Sequence, residues 1–175
     1  MLGLALQKED PLTAVAHFER AHELDPSLPH VLREWGRALW YAGRFEEAIV
    51  KVRSAISFDS SDAWAHCYQG HLLLETNQIV DAKSAFERAV ALEPRHGFFW
   101  GNLARAHEEL GELSAAERIY RKGLSVEFDG PYLYARYGLF LKRMGKLSRA
   151  KKYLRRAIDM NPNDRNAREA LAELS

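Results

Sequence analysis

Cysteine is nearly absent from this chain. Cys67 stands alone among 175 residues, so no intrachain disulfide can form and no multi-cysteine zinc site can be built from the chain itself. A reducing, cytoplasmic setting is the expectation. Long apolar runs are missing too. Nothing approaches the roughly 18–20 consecutive apolar residues that a bilayer span needs. The apolar start from Met1 to Leu6 is too short for the core of a secretory leader. A soluble protein with no membrane span is therefore expected. Nor does one sign of charge prevail: 25 Lys and Arg stand against 24 Asp and Glu, a formal net of +1, far from the basic balance of dedicated nucleic-acid binders. The chain also lacks a hydrolase nucleophile motif, a phosphate-cradling glycine loop, a nicotinamide fingerprint and a His-Glu-x-x-His pair. It reads as a non-catalytic protein that needs no cofactor. A hydrophobic content of 47% beside 28% charged residues excludes disorder and collagen-like structure.

The even charge balance hides an uneven distribution. From Pro131 to Ser175 eleven Lys and Arg face four Asp and Glu, a net of +7, which leaves −6 for the remainder. What the chain has in abundance is self-similarity. Shifted by 34 residues, it aligns Gly36, Gly70, Ala104 and Gly138, and likewise Leu39, Leu73, His107 and Leu141. A stricter set follows: Ala14, Ala48, Ala82, Ala116 and Ala150; then Phe18, Val52, Phe86, Tyr120 and Leu154; then Ala21, Ala55, Ala89, Gly123 and Ala157. Pro26, Pro94 and Pro162 close three of the units. A fixed period of this length is the signature of stacked structural repeats.

Each unit holds two apolar patterns of helical spacing separated by a helix stop. Gly43, Gly111 and Gly145 occupy that stop, with Asn77 in the remaining copy. Both residue types accept the left-handed conformation that ends a helix and reverses the chain. The unit is thus a helical hairpin. Gly36 opposite Ala55, and Gly70 opposite Ala89, are the expected points of close helix approach. Asp10 followed by Pro11 reads as an N-cap and first helical residue, which starts a helix over Pro11 to Leu24. Met1 to Gln7 is then a remnant of its partner helix, and the chain reads as a piece of a longer protein. Arg165 to Leu174 forms one amphipathic helix that covers the last hairpin.

These columns resemble the tetratricopeptide-repeat (TPR) family, whose units carry an aromatic, a Leu-Gly pair, a second aromatic, then spaced Ala, Phe, Ala and Pro. The resemblance covers nearly the whole chain. It implies an all-α fold, a right-handed superhelical solenoid of antiparallel helix pairs. Residues 1–175 would form a single domain: 1–28 a partial repeat, 29–62, 63–96, 97–130 and 131–164 full repeats, and 165–175 a capping helix. The third unit departs most from the pattern, with Ala104 for Gly, Gly123 for Ala and Phe128 for Pro.

In this family the first helix of each unit lines the concave face. The resemblance therefore implies a peptide- or protein-binding groove lined by Arg33, Arg37, Trp40, Tyr41, Trp64, Tyr68, His71, Phe98, Asn102, Arg105, Tyr132, Arg136 and Arg143. His30, Cys67, Glu75, Glu109 and Lys142 share the same stripe. Exposed aromatics beside arginines suit an extended peptide with acidic residues, because the rings bury area and the guanidinium grips carboxylates with two hydrogen bonds. The carboxylate clamp by which some TPR domains hold chaperone C-termini is not expected. Asn102 and Arg136 occupy clamp columns, but Cys67 and His71 stand where Lys and Asn are required. The implied function is that of a non-catalytic scaffold or adaptor. The alternative is a substrate-recruiting or regulatory arm of a larger enzyme such as a glycosyltransferase.

Three further features have plainer readings. Cys67 and His71 lie one helical turn apart, but His66 falls in a packing column, so only two ligand types share a face and a metal site is not expected. The basic run from Lys142 to Arg156 reads as a solvated outer face rather than a nucleic-acid site. Self-association is expected through the open edge of Pro11 to Leu24, including Val15 and Phe18.

Overall fold

The computed structural model describes residues 10–126 and 130–174. The expected remnant over Met1 to Gln7, and Phe128 in the third exit turn, lie outside the described residues. The chain divides into two compact units, Met1–Leu92 and Glu93–Ser175, and the described residues of both are helical with no strand. The first unit contains α1 (Pro11–Leu24), α2 (Pro29–Tyr41), α3 (Phe45–Phe58), α4 (Ala63–Glu75) and α5 (Ile79–Leu92). The second contains α6 (Gly97–Glu109), α7 (Leu113–Gly123), α8 (Gly130–Arg143), α9 (Leu147–Met160) and α10 (Arg165–Ala172). Within them α2 pairs with α3, α4 with α5, α6 with α7 and α8 with α9.

Local chemistry sets these boundaries. The Asp10 side chain accepts from the Thr13 amide at 3.1 Å, with Pro11 at the first helical position. Asp62 and Asp164 cap α4 and α10 in the same manner, each 3.0 Å from an amide three residues on. At the hairpin stops Gly43 has φ +73° and Asn77 φ +58°, the left-handed conformation that lets the amide two residues past the helix return to a last-turn carbonyl. Gln78 N bonds Leu73 O at 2.8 Å in this way. α10 ends at Ala172, two residues before the expected Leu174.

Packing between paired helices follows one rule that differs from the sequence expectation. Gly36 faces Val52 rather than Ala55: a Cβ added there would sit 2.6 Å from Val52 Cγ2. Gly70 likewise faces the Phe86 ring, also 2.6 Å from such a Cβ, and Gly138 faces Leu154 at 2.8 Å. The glycine therefore receives the large residue of the second helix instead of meeting a small one. Val52, Phe86 and Leu154 are each completely buried as a result, a burial that contributes about 1.5–3 kcal/mol per side chain. In the third hairpin Ala104 stands in the glycine column and shares one buried core with Tyr120. There Gly123 admits Trp100 instead, whose Cβ lies 2.6 Å from where a Cβ at 123 would be. α7 is correspondingly short, 11 residues against 14 in α3.

The edge of α1 corrects a second expectation. Val15 is 5% exposed and packs with Phe18 into the first unit's core beside Leu32, Trp35 and Leu39. Leu12 and Leu24 are the apolar residues that α1 turns outward, at 64% and 72% exposure.

Candidate functional site

In the first unit the structure gathers seven of the candidate residues on α2 and α4. The arginines do not stand alone. Arg33 donates from Nη1 to Asp62 Oδ2 at 2.8 Å and from Nε to Glu34 Oε1 at 3.0 Å. Arg37 Nη2 meets Glu34 Oε2 at 2.7 Å, and its Nη1 donates to the Tyr68 hydroxyl at 2.9 Å, with the guanidinium 5.5 Å from the Tyr68 ring centre. Two cations and two carboxylates thus form a neutral, interlocked network. Burial alone would depress the Arg33 guanidinium, yet Asp62 and Glu34 hold its pKa above the ordinary value. Burial, reinforced by the Glu34 charge, pushes the Tyr68 phenol well above the usual tyrosine range. Tyr68 at 5% and His71 at 7% exposure are buried, so they shape the face more than they extend from it.

Beside this network lies an aromatic stack. The Trp40 ring lies 5.1 Å from Tyr41 and 4.9 Å from His71, each at an interplanar angle of 19°. Trp64 leans on Tyr68 at 6.1 Å. Tyr41 is the most open of these rings. Arg37 Nε is buried without a hydrogen-bond partner, an orphaned donor that costs free energy unless something accepts from it.

The second unit assembles the other six on α6 and α8. Phe98 and Tyr132 pack with ring centres 4.6 Å apart. Asn102 is fully buried. Its amide donates to the Phe98 carbonyl at 3.0 Å and its Oδ1 accepts from the Tyr132 hydroxyl at 2.7 Å. It has no surface to offer a ligand, and its placement is that of a support for Tyr132. Arg136 lies against Tyr120, where burial pushes the phenol up to about 12 although Arg136 and Arg105 work in the opposite direction. The Nε of Arg136 is buried and unpartnered, like that of Arg37. Arg105 makes a loose pair with Glu109 at 3.8 Å. Arg143 pairs with Glu108, which also accepts from the Tyr120 hydroxyl.

Among the described residues no group of three or more His, Cys, Asp or Glu could hold a metal ion. Cys67, placed on the exposed stripe by its spacing, is buried instead. No described helix is long and apolar enough to cross a membrane.

Two models described as tetratricopeptide repeat match residues 73–139 and 133–174, together more than half the chain. The chain belongs to the tetratricopeptide-repeat family. A TPR-containing protein of Caenorhabditis elegans, trd-1, is 25% identical over 159 residues, 90% of this chain but 20% of that protein. The chain thus spans about a fifth of that relative's length. Among solved structures, a thermophilic TPR protein of Thermus thermophilus superposes with a TM-score of 0.88 at 20% identity, covering 99% of this chain and 95% of that one. YrrB, described as a TPR protein with an unusual peptide-binding site, gives 0.63 at 18% identity over 90% of this chain and 81% of its own. At such identities the likeness shows the TPR fold alone.

What the repeat spacing did not reveal is the acid on these TPR helices. Glu34, Asp62 and Glu108 neutralise Arg33, Arg37 and Arg143. A signal was present: Glu34 sits in the same column as Tyr68, Asn102 and Arg136, one residue from one arginine and three from another.

Proposed function

We propose that the chain is a protein-interaction scaffold, non-catalytic in itself, that holds a segment of a partner on the first helices of its repeats. The observation that carries this reading is the partly exposed aromatic and arginine surface of the first helices, with Tyr41 43% exposed and stacked on Trp40 in the first unit and Arg136 and Arg105 beside Tyr120 in the second. The aromatic rings supply apolar area. The charge pattern narrows the ligand. With Arg33 and Arg37 already neutralised, the first unit suits an apolar or aromatic side chain. Arg136, beside the loosely paired Arg105, is the better position for an acidic group. The reading treats residues 1–175 as one repeat domain working in the cytoplasm, where a lone buried thiol is at home.

Site-specific photocrosslinking tests it. A photoreactive phenylalanine analogue in place of Tyr41 or Arg105 is expected to capture a partner protein, and the same analogue at Val50 or Arg88 on the second helices is not. Arg136→Gln should weaken the capture at Arg105. Identical captures from all four positions would remove the first helices from the mechanism. A second reading, a recruiting arm of a larger protein, is supported by the small share of the relative's length that the chain spans. Partner captures that include an enzyme encoded in the same reading frame would favour it.

A further inference from the structure

Eight Lys and Arg crowd residues 142–156, and the structure sorts them into two groups. Lys142 is neutralised by Glu173 and Arg143 by Glu108, while Lys146 and Arg149 share the single carboxylate of Glu117. The remaining four, Lys151, Lys152, Arg155 and Arg156, make no ion pair among the described residues, and the last three are exposed. They recur on α9 at a spacing of one helical turn, Lys151 below Arg155 and Lys152 below Arg156, where like charges repel one another. Lys152, Arg155 and Arg156 converge with Tyr134, Tyr153 and Asp159 on a cleft of ≈ 470 Å³. The two tyrosine rings lie 6.2 Å apart at 30°. The Arg156 guanidinium stands 5.9 Å from the Tyr134 ring centre, and Lys152 Nζ 5.9 Å from that of Tyr153.

We propose that this outer cleft of α9 is a second interaction surface, which binds an extended acidic segment of a partner protein with carboxylates at alternate positions. Spacing supports that occupant. Lys152 and Arg156 are separated by about 6 Å along the helix axis, and alternate side chains of an extended peptide recur on one side every roughly 6.5–7 Å. The Arg156 fork matches a carboxylate bidentately, and the side chains between the carboxylates point away from the cleft. A nucleic-acid strand fits less well for two reasons. Stacking of bases needs open ring faces, and here cations already stand over both tyrosines. Asp159 also sets a carboxylate in the cleft where a phosphodiester chain would pass, whereas a peptide can meet it with backbone N–H groups. The proposal does not depend on the first-helix surface.

The test is fluorescence anisotropy of the whole chain with a fluorescein-labelled nine-residue peptide carrying glutamate at alternate positions and serine between them. Saturable binding is expected, reduced about 30-fold by Lys152→Glu with Arg156→Glu, the scale of two lost interfacial charge pairs. The Arg20→Glu, Arg88→Glu variant changes net charge equally on exposed positions of the first unit and should bind as the parent does. Helical circular dichroism verifies that both variants remain folded. No saturation by about 1 mM peptide, a limit that leaves only negligible affinity, would overturn the proposal. Equal loss in the two double variants would reduce it to net charge. An oligothymidylate that displaces the peptide and binds more tightly would make the cleft a nucleic-acid site instead.

Discussion

Replacing Asp62 by alanine removes two interactions at once, while asparagine removes only one of them. Oδ1 of Asp62 caps α4 by accepting from the Ala65 amide at 3.0 Å, and Oδ2 holds Arg33 Nη1 at 2.8 Å. An N-cap aspartate contributes about 1 kcal/mol, and asparagine serves equally well there. The ion pair is sheltered, with side-chain exposures of 22% for Arg33 and 10% for Asp62. It should therefore exceed the about 0.2–1 kcal/mol of exposed pairs. Glu34 continues to hold Arg33 Nε at 3.0 Å, so the guanidinium is not abandoned and the loss stays near ~1.5 kcal/mol rather than the larger penalty of a stranded buried charge. Asp62→Asn should then cost about 1.5 kcal/mol and Asp62→Ala about 2.5 kcal/mol. Asp164→Asn supplies the control, because Asp164 caps α10 in the same geometry without an arginine partner, and its cost should be within about 0.5 kcal/mol of zero. Urea unfolding followed by tryptophan fluorescence, in a background where Trp100 of the second unit is replaced by phenylalanine, reports on the first unit through Trp35, Trp40 and Trp64, and hydrogen exchange at the Ala65 amide reports on the cap itself. If Asp62→Asn proved as destabilising as Asp62→Ala, the cap would contribute nothing. If both variants were within about 0.5 kcal/mol of the parent, the network would not hold this face together.

Two other outcomes follow from the packing. Gly70→Ala drives a methyl group to within 2.6–2.8 Å of the fully buried Phe86 ring. Overpacking of this kind costs typically about 1–3 kcal/mol, partly offset by the roughly 1 kcal/mol helix preference of alanine. A net loss measured by denaturant midpoint is expected, relieved when Phe86→Leu is added, and a stabilised Gly70→Ala protein would refute the contact. Tyr120 and Tyr137 both have phenol pKa values raised by burial from 10.0 to about 12. A raised acid pKa means that the folded state binds the proton more tightly. The associated stability is complete below pH 10 and is lost as the pH rises toward about 12. Absorbance of tyrosinate should show these groups ionising late and together with unfolding, and a titration with every tyrosine ionising near pH 10 would contradict their burial.

Particular residues show how far the sequence could be read. The ends of α1 were legible because Asp10, Pro11 and a helical apolar pattern act locally, and the hairpin stops because Gly43 and Asn77 meet a backbone requirement that few residues satisfy. The partner of Gly36 was not legible. Spacing says that a small residue permits close approach, but Val52 or Ala55 as the thing that approaches depends on how two helices rotate against each other. Asn102 shows the same limit at the candidate site: its column marked it as a contact, and its hydrogen bonds to Phe98 and Tyr132 turned it inward. Val15, expected on an open edge, lies in the core for a related reason, since the face that α1 presents to α2 is chosen by the packing of Leu32, Trp35 and Leu39.

By itself the sequence determined the all-helical repeat, its period of 34, the family and the helices that carry the candidate residues, because these depend on periodicity and on caps and stops within a few residues. Tertiary structure alone decided which charges remain available. Asp62 could neutralise Arg33 only after α2 and α4 were side by side, and Glu117 could pair with Lys146 and Arg149 only after α7 and α9 had folded around α8. Ion pairing falls off over a few ångströms, a distance that residues some 30 positions apart in the chain acquire only through packing.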